Sequence, residues 1–314
     1  MRLLVAAMAA VAAAATTDPS GAAIVATDPS VAVAVVACGR LAGEALFGMC
    51  VRSLRGPGAF GGTIYALTDR PACAPPTTTV VPIRVEPRCR QGASILYKQL
   101  KMKLLGVLGR GNEDILLYVD VDVVAGAPLQ PLIDAALAAF RDPATTLVLY
   151  EEAAVTADAH DPLRLLREPY HGGVFFAHRT RSASCIQAWG DRVAAAIPQH
   201  GRAVKRSSIR DQPLLAETVR AGACVVAPLP PSTLSKPSRF TIEAGRYAVL
   251  NHLSRSSRLK GKRNNHNLTR AHLSKLGADL LGVRNGRGNW WAAPAACSGR
   301  DDADGALVLG CGDG

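Results

Sequence analysis

Apolar residues fall into two kinds of run along the chain. Short, nearly all-apolar blocks recur at 32–37 (AVAVVA), 63–67 (TIYAL), 80–85, 115–119 (ILLYV), 147–150, 173–177 (GVFFA) and 224–227. Blocks of that length, rich in Val, Ile and Leu, suit strands buried on both faces. Between them, 94–108 (SILYKQLKMKLLGVL) sets apolar residues three and four apart, the spacing of one helix face. Segments 40–53, 129–140, 182–196 and 211–221 also predict helices, the second of these with Pro131 in its first turn. Buried strands alternating with helices predict an α/β fold: a mostly parallel central sheet with helices on both faces. Ligands in such sheets gather beyond the carboxyl ends of the strands, so the residues following each strand carry the functional reading.

The chain has 314 residues, enough for one large or two ordinary domains, and 48% of them are apolar. Formal net charge is +11, and it is concentrated: residues 255–287 hold nine Lys/Arg against one acid, Asp279. That describes a patch rather than a whole basic surface. No stretch after residue 37 is apolar for long enough to cross a bilayer, which excludes a multi-pass membrane protein. At the start, Met1-Arg2, the apolar run 3–15 and then Thr16-Thr17-Asp18-Pro19 have the order of a secretory signal peptide. Residues 1–28 are therefore expected to be a signal peptide or short signal anchor, with weak membrane association through the N-terminus. The secretory pathway, in the ER or Golgi lumen, is the expected location, with secretion as an extension of that route. The alternative is a buried Ala-rich helix. The even set of eight cysteines permits disulfides in such a compartment. Cys73 and Cys89 flank a Pro-rich loop, and Cys297 and Cys311 lie in the tail, but the connectivity is open. Asn267-Leu268-Thr269 is a glycosylation sequon, in keeping with a glycoprotein. The Gly/Ala/Asp-rich residues 288–314 are expected to form a flexible tail after a domain spanning 29–287.

Asp120-Val121-Asp122 leaves the ILLYV block directly. Continued strand alternation would put both carboxylates on one side and Val121 on the other. Two such charges close together need compensation, and a hard divalent cation, Mn²⁺ or Mg²⁺, supplies it. The bland alternative is one Asp capping a helix and the other meeting a Lys.

Context favours the metal. A Lys-bearing amphipathic helix, then an apolar strand with DVD, then AGAPLQPL resembles the GT-A glycosyltransferases. So do His171-Gly172-Gly173-Val174-Phe175-Phe176 followed by Trp189, then Arg210-Asp211-Gln212-Pro213 opening a helix, then Leu250-Asn251-His252 trailed by basic residues. The order is most similar to glycogenin-like retaining enzymes, over residues 31–263. The sequence departs from them in the spacing after His252, in lysines where Arg is usual before the DVD, and in His-Gly-Gly for Asn-x-Gly.

The resemblance implies a GT-A, Rossmann-like fold and a hexosyl- or pentosyltransferase, retaining in the glycogenin manner. It implies a UDP- or GDP-sugar donor, a glycan or glycoprotein acceptor, and no nucleic acid. By the same resemblance Asp120, Asp122 and His252 hold the metal. Ala37, Cys38, Gly39, Thr68 and Asp69 at strand ends, with Tyr97, Lys101, Asp120 and Val121, face the nucleotide. Lys260 and Lys262 close on the diphosphate, and His171, Gly172 and Gly173 meet the sugars. Asp211 and Gln212 act at the reacting centre, Asp211 as general base if the enzyme inverts and as a sugar-positioning group if it retains. Each has a plainer reading: Asp211 as a helix cap, Lys98 and Lys101 as a solvated helix face, His252 as a packed or surface residue.

Two other functions compete. A haloacid-dehalogenase-type phosphatase also begins DxDx[TV] after a strand, with the first Asp as nucleophile. In this chain too much β/α pattern precedes the motif, and Glu151-Glu152 comes too soon to be its later acidic pair. A non-enzymatic polyanion binder would use RSSRLKGKR at 255–263, which has no interleaved aromatic for base stacking.

Overall fold

The computed structural model describes residues 30–38, 42, 45–85, 98–108, 111–152, 167–196, 211–237, 239–253, 270–281 and 307–309. The strands are β1 (Val31–Val36), β2 (Ile64–Thr68), β3 (Thr79–Val85), β4 (Ile115–Val119), β5 (Val123–Ala125), β6 (Leu147–Glu151), β7 (Tyr170–His178), β8 (Val226–Pro228), β9 (Leu234–Ser235), β10 (Leu250–His252) and β11 (Leu307–Leu309). The helices are α1 (Ala45–Arg55), α2 (Leu104–Leu108), α3 (Gln130–Ala139), α4 (Ala183–Ala195), α5 (Asp211–Arg220), α6 (Arg239–Glu243) and α7 (Arg270–Leu281). No helix among the described residues is long and apolar enough to cross a membrane.

Eight strands form the main sheet in the order β11-β3-β2-β1-β4-β7-β6-β8. β1 lies between β2 and β4, parallel to both, and is buried along nearly its whole length. That is what a block such as AVAVVA is for: small and β-branched side chains fill the space between the sheet and the layers on both faces. One strand departs from the parallel majority, as the expected mostly parallel sheet allows. β7 runs antiparallel to both β4 and β6. A strand buried on both faces carries the same apolar signal in either direction, so the reversal is invisible to composition. The sheet is therefore mixed and mostly parallel. Within the tail expected to be flexible, Leu307–Leu309 pairs parallel with β3 as an edge strand.

A second, three-stranded sheet, β5-β10-β9, stands beside the first. Its strands are too short to register as apolar blocks, and none was expected from the sequence. β10 pairs antiparallel with β5, placing His252 opposite Val123. Asn251 holds the unit together. Its Oδ1 accepts from the Ala248 amide (3.0 Å) and the Ser235 hydroxyl (2.9 Å), and its Nδ2 donates to the carbonyls of Ala248 (2.9 Å) and Val124 (3.4 Å). All four hydrogen-bonding positions of the side chain are used, and the residue is fully buried. α1 lies against β5, where Ser53 Oγ accepts the Ala125 amide at 2.9 Å.

The helix expected over 94–108 is not continuous where it is described. Residues 98–101 are helical, a turn follows at 102–103, and α2 resumes. Leu100, Leu104 and Val107 are buried, as the periodicity implied. Cys185 in α4 and Cys224 ahead of β8 form a disulfide. The pairs considered from the sequence, Cys73 with Cys89 and Cys297 with Cys311, involve residues outside the described ones.

Candidate functional site

The carboxyl ends of β1, β2 and β4 lie along one edge of the sheet, because the three strands are parallel and in register. Ala37 and Cys38 follow β1, Thr68 closes β2 with Asp69 next, and Asp120 follows β4. Burial, then the charge of Asp69, raises the Cys38 thiol far above its ordinary range, so it is a packed thiol and not a nucleophile. Thr68 Oγ1 accepts the Arg70 amide at 3.1 Å and shapes the turn there.

The two DVD carboxylates converge, but not by strand alternation. β4 ends at Val119, and the Val123 amide donates to the Asp120 carbonyl at 2.9 Å, closing a turn across the motif. The chain then leaves as β5, and the Asp122 carbonyl accepts the Leu253 amide at 2.8 Å. The short sheet thus delivers His252 to the turn. One ligand atom each from Asp120, Asp122 and His252 lies within 4.8 Å of the others. His252 Nε2 is 3.4 Å from Asp122 Oδ1.

That donor set fits a hard divalent cation. Metal–ligand bonds of about 2.1 Å put adjacent ligand atoms about 3 Å apart and opposite ones about 4.2 Å apart. The observed spread needs only a small closure of the side chains. Two carboxylates with one imidazole suit Mn²⁺ or Mg²⁺ better than a thiolate-seeking metal.

Around this group the polar contacts are dense. Asp120 Oδ1 accepts from the Tyr118 hydroxyl at 2.5 Å and lies 3.6 Å from Lys101 Nζ. A side chain at position 173 would put its Cβ 2.7 Å from Asp120 Oδ2 and 2.9 Å from His171 Cε1, so any larger residue there would displace the carboxylate and the ring. At position 172 a Cβ would meet Gln212 Cγ at 3.2 Å, so Gly172 lets the start of α5 come close to β7.

Lys101 is not on a solvated helix face. It is 2% exposed and donates to the Gly172 carbonyl (2.7 Å) and Asp211 Oδ2 (2.8 Å). Lys98 reaches Asp211 Oδ1 at 3.4 Å. Burial works against the Lys101 charge, but Asp120 and Asp211 outweigh it and raise the ammonium's pKa. Burial alone would raise Asp211 as well; Lys101 and then Lys98 instead hold its carboxyl down at about 2. Trp189 Nε1 donates to the Asp211 carbonyl at 3.0 Å and anchors the start of α5.

His252 resists burial in the same way, its pKa raised chiefly by Asp122 and then Asp120. Its other nitrogen, Nδ1, lies 2.9 Å from Nε2 of His171. His171 is 1% exposed, and burial followed by the charges of His252, Lys236 and Lys101 lowers its pKa well below the ordinary value. It packs on His252 rather than standing alone before a Gly-Gly turn. Lys236 lies just past β9 and is ion-paired with the buried Glu152. The Tyr118, Lys236 and Glu152 contributions were not anticipated. Tyr118 sits inside an apolar block and reads as core, and Lys236 is one of many lysines. Gly39, Tyr97, Lys260 and Lys262 lie outside the described residues.

A mostly parallel sheet with acids at its carboxyl edge, joined by a His from a small second sheet, has the layout of the GT-A, Rossmann-like fold. No family model matches the chain, and no curated protein matches it by sequence. Among solved structures it is similar to the galactosyltransferase LgtC in complex with donor and acceptor sugar analogs. The TM-score is 0.52 and the identity 13%, over 79% of this chain and 95% of that one. An active-site mutant of LgtC superposes with a TM-score of 0.49 and 12% identity, over the same shares of the two chains. The likeness is one of fold.

Proposed function

We propose that the protein is a metal-dependent glycosyltransferase that moves a hexosyl or pentosyl group from a UDP- or GDP-sugar to a glycan or protein-linked acceptor. One observation carries the reading. Asp120 and Asp122 of the DVD motif and His252, 130 positions further along the chain, meet at the carboxyl edge of a GT-A sheet with spacing that suits one divalent cation. The fold is shared with a galactosyltransferase solved with donor and acceptor sugar analogs, which supports the same kind of partners. A bound Mn²⁺ or Mg²⁺ would supply positive charge against the diphosphate leaving group. Ala37, Cys38, Thr68 and Asp69 share the edge where a base and ribose would lie, and Lys260 and Lys262, eight and ten positions after His252 in the chain, are the lysines proposed to meet the diphosphate.

Asp211 bears on stereochemistry. Both its oxygens are engaged by ammonium groups, and its carboxyl titrates at about 2. A carboxylate so acidic takes a proton poorly from an acceptor hydroxyl near neutral pH. This favours retention, with Asp211 and Gln212 positioning the sugar and not acting as a base. The Cys185–Cys224 disulfide supports an oxidising compartment, hence the secretory route.

The test is calorimetric binding of UDP- and GDP-sugars with and without Mn²⁺. Asp122→Ala is expected to abolish both metal-dependent binding and transfer while leaving the melting curve cooperative. Undiminished turnover by that variant would overturn the assignment.

A further inference from the structure

We propose that His171 is a positioning residue for the metal ligand His252: its Nε2 accepts the Nδ1–H of His252 and turns that ring so that its Nε2 faces the point shared with Asp120 and Asp122. The inference rests on the metal reading and deepens it.

The geometry is close on both sides of the His252 ring. Nδ1 lies 2.9 Å from His171 Nε2, and Nε2 lies 3.4 Å from Asp122 Oδ1. The two rings meet edge to face, with centroids 4.8 Å apart and planes at 82°. An imidazole that binds metal through Nε2 must keep its proton on Nδ1, and a partner for that proton fixes both tautomer and orientation. His171 occupies the partner's position. It is held on β7 two residues before Gly173, whose carbonyl accepts the Asp120 amide at 2.8 Å, so the positioning ring and the metal acids hang from the same strand pair.

Accepting through Nε2 leaves the His171 proton on Nδ1. That nitrogen is buried and has no hydrogen-bond partner among the described residues. An apolar ring would fill the space without stranding a polar atom. An imidazole there is therefore useful for its other nitrogen. Were His171 instead the donor, neutral His252 would carry its proton on Nε2, pointing at Asp122, and could not ligate a cation through that atom. A neutral imidazole also adds no negative charge beside two carboxylates, as the more usual carboxylate partner would.

Mn²⁺ alone is the probe, titrated against the full chain at fixed pH by electron paramagnetic resonance of the free ion. His171→Phe keeps a ring but removes the acceptor, and should weaken Mn²⁺ binding by about 10-fold or more. His171→Gln places an amide oxygen near the lost nitrogen and should restore most of the affinity. In a His252→Ala background, His171→Phe should cost nothing further, since its effect passes through that ring. Independently of any variant, nitrogen-15 spectra of the wild-type histidines with saturating Mg²⁺ should show His171 protonated on Nδ1. Affinity in His171→Phe within about twofold of wild type, an equal loss with and without His252, or a His171 proton on Nε2 would each overturn the proposal. Asp122→Ala separates the two levels. Mn²⁺ affinity unchanged in Asp122→Ala removes the metal site itself; affinity lost there but kept in His171→Phe removes only the positioning role.

Discussion

Replacing Lys101 by Met tests the electrostatic account of the site most directly. The ammonium is 2% exposed and lies 2.8 Å from Asp211 and 3.6 Å from Asp120, while also donating to the Gly172 carbonyl. Met keeps the length and apolar body of the side chain and removes the charge and its donors. Removing one member of a buried ion pair costs about 3–5 kcal/mol, because the partner charge stays behind in a poorly solvating place. Asp120 and Asp211 retain 17% and 14% exposure, which puts the expected cost at the lower end, about 3 kcal/mol at neutral pH.

The pH dependence of that cost separates charge from packing. Asp211 falls from its ordinary 3.8 to about 2 in the folded protein. A carboxyl whose folded pKa is depressed contributes stability that is fully present above 3.8 and is lost as pH falls toward about 2. The difference is worth about 2 kcal/mol. Wild type should lose that amount across the window. Lys101→Met never had most of it, since burial then acts on Asp211 with only the more distant, partly buried Lys98 opposing. The gap between the two proteins should therefore shrink from about 3 kcal/mol at pH 7 to about 1 kcal/mol near pH 2. Urea unfolding of both proteins in chelator, at intervals from pH 7 down to pH 2.5, measures it. A gap that stays constant across that range, or that is below about 1 kcal/mol at pH 7, would refute the reasoning.

Asn251→Asp is expected to lose about 3 kcal/mol in urea unfolding, since it replaces the amide NH2, which donates to the Ala248 and Val124 carbonyls, by one carboxylate oxygen facing both at a fully buried position. Mn²⁺ affinity should fall with it, because the same strand carries His252; full stability in this variant would contradict the four-bond account. Cys185→Ser opens a disulfide spanning 39 residues and should cost about 4 kcal/mol, seen as a lower urea midpoint equal to that of reduced wild type. A midpoint unmoved by reductant would show that the bond does not form in solution.

The main sheet was legible because its strands bury both faces and so leave uninterrupted apolar blocks; β1, β2, β4, β6 and β7 all fall within a few residues of their expected positions. What was not legible is direction. β7 carries the signal of a parallel strand and runs the other way, since side chains packed on both faces record burial and not polarity. The small sheet left no mark for a different reason. Strands of two or three residues have no periodicity to detect, and β5, β9 and β10 are held by the side-chain bonds of Asn251 as much as by their own ladder.

The site divides along the same line. The local part, two acids after a buried strand, showed in the sequence, although a turn and not strand alternation brings them together. The long-range part showed only through motif order. His252 comes 130 residues after Asp122 in the chain and reaches it only because β10 pairs with β5. Lys101 was visible as a lysine on a helix with an apolar face, for which a solvated head group is the ordinary expectation. Its burial follows from what lies across from it: Asp120 at the end of β4 and Asp211 at the start of α5 stand near enough together that one ammonium can serve both. Those two carboxylates are 91 positions apart, and neither alone gives a helical lysine reason to turn inward. Charge compensation inside a fold is thus decided between elements, and a single chain read along its length shows the charges without showing which of them meet.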